Sequence, residues 1–226
     1  RSTAFYLYAC RDERTDPLWG ARRPVIATLA LAGPRVTELC QLNINDLDLA
    51  KAKFYVNDAK TAAGVRDVDI HPRLLEELTV YTAYRPPAPG NAPAFPTRTG
   101  NRRNKDNVRL RVIAPVVSRA NEMRAAQDRP PIRAHVTPHT FRRTYITYMI
   151  AAGYDLPYVQ AQVGHADPAV TLAIYAQVMR RADRDELRAE IRGLLGVERS
   201  PSNGDGRPAD RVREKAGNGR ELELGA

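Results

Sequence analysis

Cysteine is scarce in this chain: Cys10 and Cys40 are the only two. They can form at most one bridge and lack metal-ligand spacing, so they read as reduced thiols rather than a disulfide framework or a zinc site. Long apolar runs are also missing. The longest, Pro24 to Gly33, falls far short of the roughly 20 residues a membrane-spanning helix needs. No secretory signal pattern is visible, and a cytoplasmic setting is expected. No cluster of carboxylates offers a two-metal site, which disfavours a metal-dependent nuclease; no metal or cofactor is expected.

What is abundant is positive charge. The formal net charge is +9, and residues 197 to 226 carry six basic and six acidic residues, so the whole surplus lies in residues 1–196. A domain with that surplus is a candidate for binding a polyanion. At 226 residues the chain can bury a substantial core as one large or two small domains.

Residues 5–19 read as a short helix and loop ending near Asp16-Pro17. Pro24 to Ala32 reads as a buried helix with proline in its first turn, where a missing N–H costs nothing. Gly33-Pro34 interrupts it, and a second helix follows through Val36, Leu39 and Cys40, which leaves Arg35 at the junction. Pro34 biases Gly33 toward an extended backbone. Lys53–Asn57 and Val65–Ile70 read as a β-hairpin with Lys60 at its tip, and Pro72–Tyr84 as an amphipathic helix. The proline-rich run 86–93 is a surface loop. Arg98 to Arg111 holds six basic residues and leads into a helix. Arg98, Arg102, Arg103 and Lys105 in it, with Arg143 further on, are candidates for phosphate contact against a plain solvated face.

From Thr137 to Val178 three helices are expected. Thr137-Pro138 opens the first, Gly153 closes it, and Asp155 and Asp167 cap the next two. His139 and Arg142, three apart, share a face near the positive end of the first helix, where an anionic group is favoured. Tyr175 falls late in the third. Residues 181–195 place Leu187, Ile191, Leu194 and Leu195 on one face of a further helix, able to dock on its own domain or on a neighbour. Residues 197–226 are polar and expected to be disordered.

These residue types suit attack on a phosphodiester without a metal. Arginine forks grip phosphate oxygens, a tyrosine phenol can attack phosphorus to form an ester, and a lysine can protonate the departing 5′ oxygen. His139, Arg142, Gly164-His165 and Tyr175 resemble the H-x-x-R … G-H … Y signature of the tyrosine recombinase (phage integrase) family. AGPRVTEL (32–39) resembles its first arginine box, and AKTAAGVRDVDIHP (59–72) its lysine-bearing hairpin.

The resemblance, running from about Ala21 to Val178, implies a mainly α catalytic domain with a small antiparallel β-hairpin or sheet, spanning residues 21–196. Residues 1–20 would be a remnant or linker. It implies Arg35 and Arg142 as the phosphate-gripping arginines, Lys60 as proton donor, His139 and His165 as phosphate-orienting or proton-transferring groups, and Tyr175 as nucleophile. Expected partners are double-stranded DNA and copies of the chain in a synaptic tetramer. Relatives carry an N-terminal DNA-closing domain that about 20 residues cannot supply, so a catalytic fragment with weakened DNA binding is expected. The alternatives are a type IB topoisomerase-like strand relaxation and a non-catalytic DNA-binding remnant.

Overall fold

The computed structural model describes residues 6, 22–57, 64–132, 135–180 and 184–196. Lys60 at the hairpin tip, most of residues 1–20 and the tail 197–226 lie outside the described residues, as do the expectations about them.

The fold is built round one helix, α1 (Arg23–Leu31), whose residues from Pro24 to Leu31 are all buried. Its sequence, RPVIATLAL, is apolar all round, which is what a helix enclosed on every side requires. Helices α3 (Pro72–Tyr84) and α6 (Pro138–Ala152) pack on it. Arg23 fixes the first of these by a two-pronged bond to Glu77, at 2.6 and 2.5 Å.

A short helix α2 (Val36–Gln41) leads by a 3₁₀ turn to an antiparallel sheet of β1 (Leu47–Asp48), β2 (Lys53–Val56) and β3 (Arg66–Asp69), in that order. Phe54 pairs with Val68, and both face the core while their neighbours do not. The expected hairpin is therefore present with one more strand on its edge. β1 spans only two residues, too short for period-2 alternation to reveal.

From Lys105 onward the basic segment runs into one continuous helical rod: α4 (Lys105–Asn107), a π-helical stretch Val108–Ile113 and α5 (Ala114–Ala125). Asn104 caps its start by accepting from the Asn107 amide at 2.7 Å. The π-helical register is invisible to a 3.6-residue pattern.

Helices α6, α7 (Leu156–Val163) and α8 (Pro168–Met179) begin at Thr137, Asp155 and Asp167, whose side chains accept from Thr140, Tyr158 and Ala169 amides. Each has proline in its first turn, and Gly153 and Gly164 close the first two in the left-handed region. The ends at Thr137, Gly153, Asp155 and Asp167 are those expected from residue type. Helix α9 (Arg184–Leu195) docks on α6 and α3 of its own chain, burying Ile191 and Leu195. Leu194 is half-buried; the side chain of Leu187 lies outside the described residues. Tyr6 is buried edge-on against Phe141, with ring centroids 5.3 Å apart, so at least this part of the first 20 residues is core rather than linker.

Gly33 corrects an expectation. Its φ is +62°, in the left-handed region and not extended. The local bias from Pro34 is overridden by packing: a Cβ there would stand 2.5 Å from Cδ1 of Tyr145. Glycine is needed for both backbone and space.

Candidate active site

The junction between α1 and α2 aims Arg35. As N-cap of α2 it has an extended backbone, and Glu38 reaches back to its amide at 2.8 Å. The same carboxylate accepts from Arg35 Nη1 at 2.6 Å, while Nη2 donates to the Gly164 carbonyl at 2.7 Å. Arg142, on α6, is buried. It donates through Nη1 to the Gly33 carbonyl at 2.9 Å and through Nη2 to the Val163 carbonyl. Each arginine is thus tied to backbone beside the other functional segment: Arg142 to the loop that carries Arg35, Arg35 to the turn that carries His165. Residues 35, 142 and 165 are brought together through the carbonyls of Gly33, Val163 and Gly164.

Burial pushes the Arg142 guanidinium down to about 10, with the charge of Arg35 as the next cause. It remains a cation at neutral pH, but one short of counter-charge, which an approaching phosphate would supply. His165 is half-buried, and its Nδ1 lies 2.9 Å from the Thr171 hydroxyl. Desolvation, then the charges of Arg142 and Arg35, push its imidazole down to about 4. It is therefore neutral at pH 7; in the tautomer in which Nδ1 accepts from Thr171, Nε2 carries the proton and can donate to a phosphate oxygen. His139 is exposed near the start of α6, close enough to His165 for their charges to interact.

Tyr175 lies on α8 four residues after Thr171, hence on the same face one turn along. It is half-buried and packs on the core. Other tyrosines nearby are unsuited to attack. Tyr145 is fully buried and pushed up by desolvation; Tyr158, half-buried, is also pushed up by desolvation, and its hydroxyl donates to Asp69 at 2.9 Å.

The basic candidates separate. Arg98 and Lys105 are exposed. Arg143 is exposed as well and reaches Gln177 on α8 at 3.5 Å. Arg102 is exposed in part, but its guanidinium is held by the Cys40 carbonyl at 2.8 Å and Asn43 Oδ1 at 2.7 Å. Arg103 is corrected: only 8% exposed, it donates from the segment before the rod to Asn107 Oδ1 at 3.2 Å. A basic run in sequence does not show which of its cations turn inward in the folded chain. Among the described residues no three His, Cys, Asp or Glu side chains gather as a metal-ligand set, and no helix is long and apolar enough to cross a membrane.

Two residues that sequence reasoning passed over stand out. Glu38 is the first, and its place three residues after the N-cap Arg35 is a capping-box signal. Arg66 lies in a strand, where no local pattern marks it. Its guanidinium bonds Glu38 through Nη2 at 2.9 Å and the Gln162 carbonyl through Nε at 2.9 Å.

The profile of the phage integrase family matches residues 9–181. The chain belongs to the phage integrase family. Among curated members, it is 32% identical over 149 residues to tyrosine recombinase XerC of Pelobacter propionicus, covering 66% of this chain and 45% of that one. It is 28% identical over 156 residues to tyrosine recombinase XerA of Thermococcus kodakarensis, covering 69% and 50%. This integrase-family chain thus spans about half the length of the curated relatives it matches. Its fold is that of solved recombinases. A XerA recombinase superposes with a TM-score of 0.63 at 22% identity, over 85% of this chain and 60% of the other. The Tn1549 transposon integrase, solved with a circular intermediate DNA, also gives 0.63, at 20% identity over 85% and 63%.

Proposed function

We propose that this chain is the catalytic part of a site-specific DNA recombinase that cleaves and rejoins strands through a 3′-phosphotyrosyl intermediate. The observation that carries the reading is the crossed anchoring of Arg35 and Arg142 on Gly164 and Gly33. It gathers two cations and a neutral imidazole from three distant segments beside the helix of Tyr175.

In this reading Arg35, Arg142 and His165 hold the non-bridging oxygens of the scissile phosphate and stabilise the charge that grows there in the transition state. The Tyr175 phenolic oxygen attacks phosphorus and releases its proton to solvent. The phosphorus–O5′ bond breaks, and the 5′ oxygen leaves as a hydroxyl once protonated, a step assigned to Lys60 by family likeness. A 5′ hydroxyl of the partner strand then attacks the phosphotyrosine, forms a new phosphodiester and returns the phenol. No redox change or external energy is involved. The reading further takes double-stranded DNA as substrate, the cytoplasm as setting and a synaptic assembly of several copies as the working form. Val170 and Leu172, 47% and 50% exposed on α8, support a protein contact there.

The test is covalent capture. Nicked duplexes of randomised sequence are incubated with the full chain in EDTA, and SDS-stable adducts are recovered and sequenced. The reading predicts an adduct that is lost in Tyr175→Phe and a selected sequence in the captured strands. DNA binding without adduct would instead support a non-catalytic remnant. Captured strands that reseal only to themselves would support strand relaxation of the topoisomerase type.

A further inference from the structure

Arg66 touches no reacting atom, yet four of its five guanidinium N–H groups are hydrogen-bonded inside the protein. Nη1 and Nη2 take the two oxygens of Glu38 at 3.2 and 2.9 Å, Nε takes the Gln162 carbonyl at 2.9 Å, and Nη1 also takes the Gly64 carbonyl at 2.8 Å. One side chain of β3 so joins α2 to the C-terminal end of α7. The Arg66 and Glu38 side chains are 8% and 5% exposed, whereas that of Arg35 is 43% exposed. A single carboxylate therefore lies between a buried cation and one that faces solvent.

Glu38 aims Arg35, but a lone carboxylate at 2.6 Å would also cancel much of its charge toward an incoming phosphate. Arg66 removes that conflict. With Arg142 beside them, the local balance is three guanidiniums to one carboxylate. A second observation ties Arg66 to the same task. A Cβ on Gly164 would lie 2.8 Å from Arg66 Nη1 and 3.0 Å from its Cζ, so the turn whose carbonyl anchors Arg35 rests on the Arg66 guanidinium.

We propose that Arg66 is a positioning residue of the phosphate grip: it neutralises Glu38 and supports the Gly164 turn, so that Arg35 is aimed by its carboxylate without being discharged by it. The inference rests on the reading of Arg35 as a phosphate-gripping residue.

The full chain is compared as wild type, Arg66→Met, Arg66→Lys, Arg35→Ala and the double variant Glu38→Gln with Arg66→Met. Inorganic phosphate is the probe, its affinity measured by titration, and the His165 imidazole is followed by NMR as pH is varied. Arg66→Met is expected to weaken phosphate about tenfold, since Glu38 is then balanced by Arg35 alone. The His165 midpoint rises from about 4, because one of the cations that depress it is gone. Arg66→Lys keeps the charge and the midpoint. The double variant, with no unpaired buried charge, recovers phosphate affinity to within about threefold of wild type. Should Arg66→Met not fold, the double variant carries the test, and a tenfold loss there overturns the proposal. A folded Arg66→Met with wild-type phosphate affinity and an unmoved His165 midpoint also overturns it, leaving Arg66 only a packing role. Equal affinity of wild type and Arg35→Ala overturns the phosphate-grip reading itself, and the inference with it.

Discussion

Thr171 lies within hydrogen-bond distance of His165 on the helix that carries Tyr175, so one hydroxyl ties the imidazole to the helix of the proposed nucleophile. Thr171→Val keeps the shape and removes the bond. It is expected to slow adduct formation about tenfold with DNA affinity unchanged, whereas Thr171→Ser restores the rate. A second residue-scale prediction concerns pH. His71 is buried, and burial pushes its imidazole down to about 4, against a smaller opposing pull from Asp69; His165 is lowered to the same value. Because the folded values lie below the ordinary one near 6.5, the unfolded chain binds more protons between them. Stability from these groups is complete above about pH 6.5 and is lost as pH falls toward 4, with His71 contributing up to about 3 kcal/mol. Urea titrations from pH 7 to pH 4 check this, and His71→Phe is expected to flatten the slope. Gly33→Ala meets both a left-handed φ and the Tyr145 ring. A loss of about 3 kcal/mol is expected by urea unfolding, together with misplacement of the carbonyl that anchors Arg142. Of this site, the residue types were legible because each matches a task on a phosphodiester. Their meeting was not: hydrogen bonds between residues 35 and 164, or 33 and 142, join segments more than a hundred residues apart, and local patterns carry no such information.

At the scale of elements, α9 is the informative case. Its apolar stripe was equally suited to its own domain or a neighbour's, and here it lies on α6 and α3, with Arg188 Nε donating to the Ala151 carbonyl at 3.1 Å. Leu195→Ala removes a fully buried side chain and is expected to cost about 2–4 kcal/mol in urea unfolding of the chain at dilution. A near-zero cost would mean that the helix is not docked on its own domain in solution. Helices α6 to α8 were readable almost to the residue, since threonine, aspartate, proline and glycine mark their ends chemically. The rod from Lys105 to Ala125 was readable as a helix but not in its π-helical part, and Arg103, which looked available in a basic run, lies just before the rod and is buried there against Asn107. Gly33 shows the reverse case, where a correct local bias lost to tertiary packing.

The molecule as a whole is a basic helical body whose positive excess is spent unevenly. Arg66 neutralises Glu38 inside and Arg102 braces carbonyls, while Arg98, Lys105 and Arg143 remain exposed. Binding to duplex DNA should therefore weaken steeply with salt. Replacing Arg98 and Lys105 together by alanine is expected to lower the slope of log affinity against log salt by about 2, with little change in sequence preference. An unchanged slope would place the DNA elsewhere on the surface. The central claim, that these gathered residues perform metal-free transesterification through Tyr175, is tested most directly by the nicked-duplex capture with the full chain in EDTA. The account predicts an SDS-stable protein–DNA adduct joined at a 3′ phosphate, absent in Tyr175→Phe and strongly reduced in Arg35→Ala. DNA binding with no adduct from the wild-type chain, or an adduct that persists in Tyr175→Phe, would contradict it.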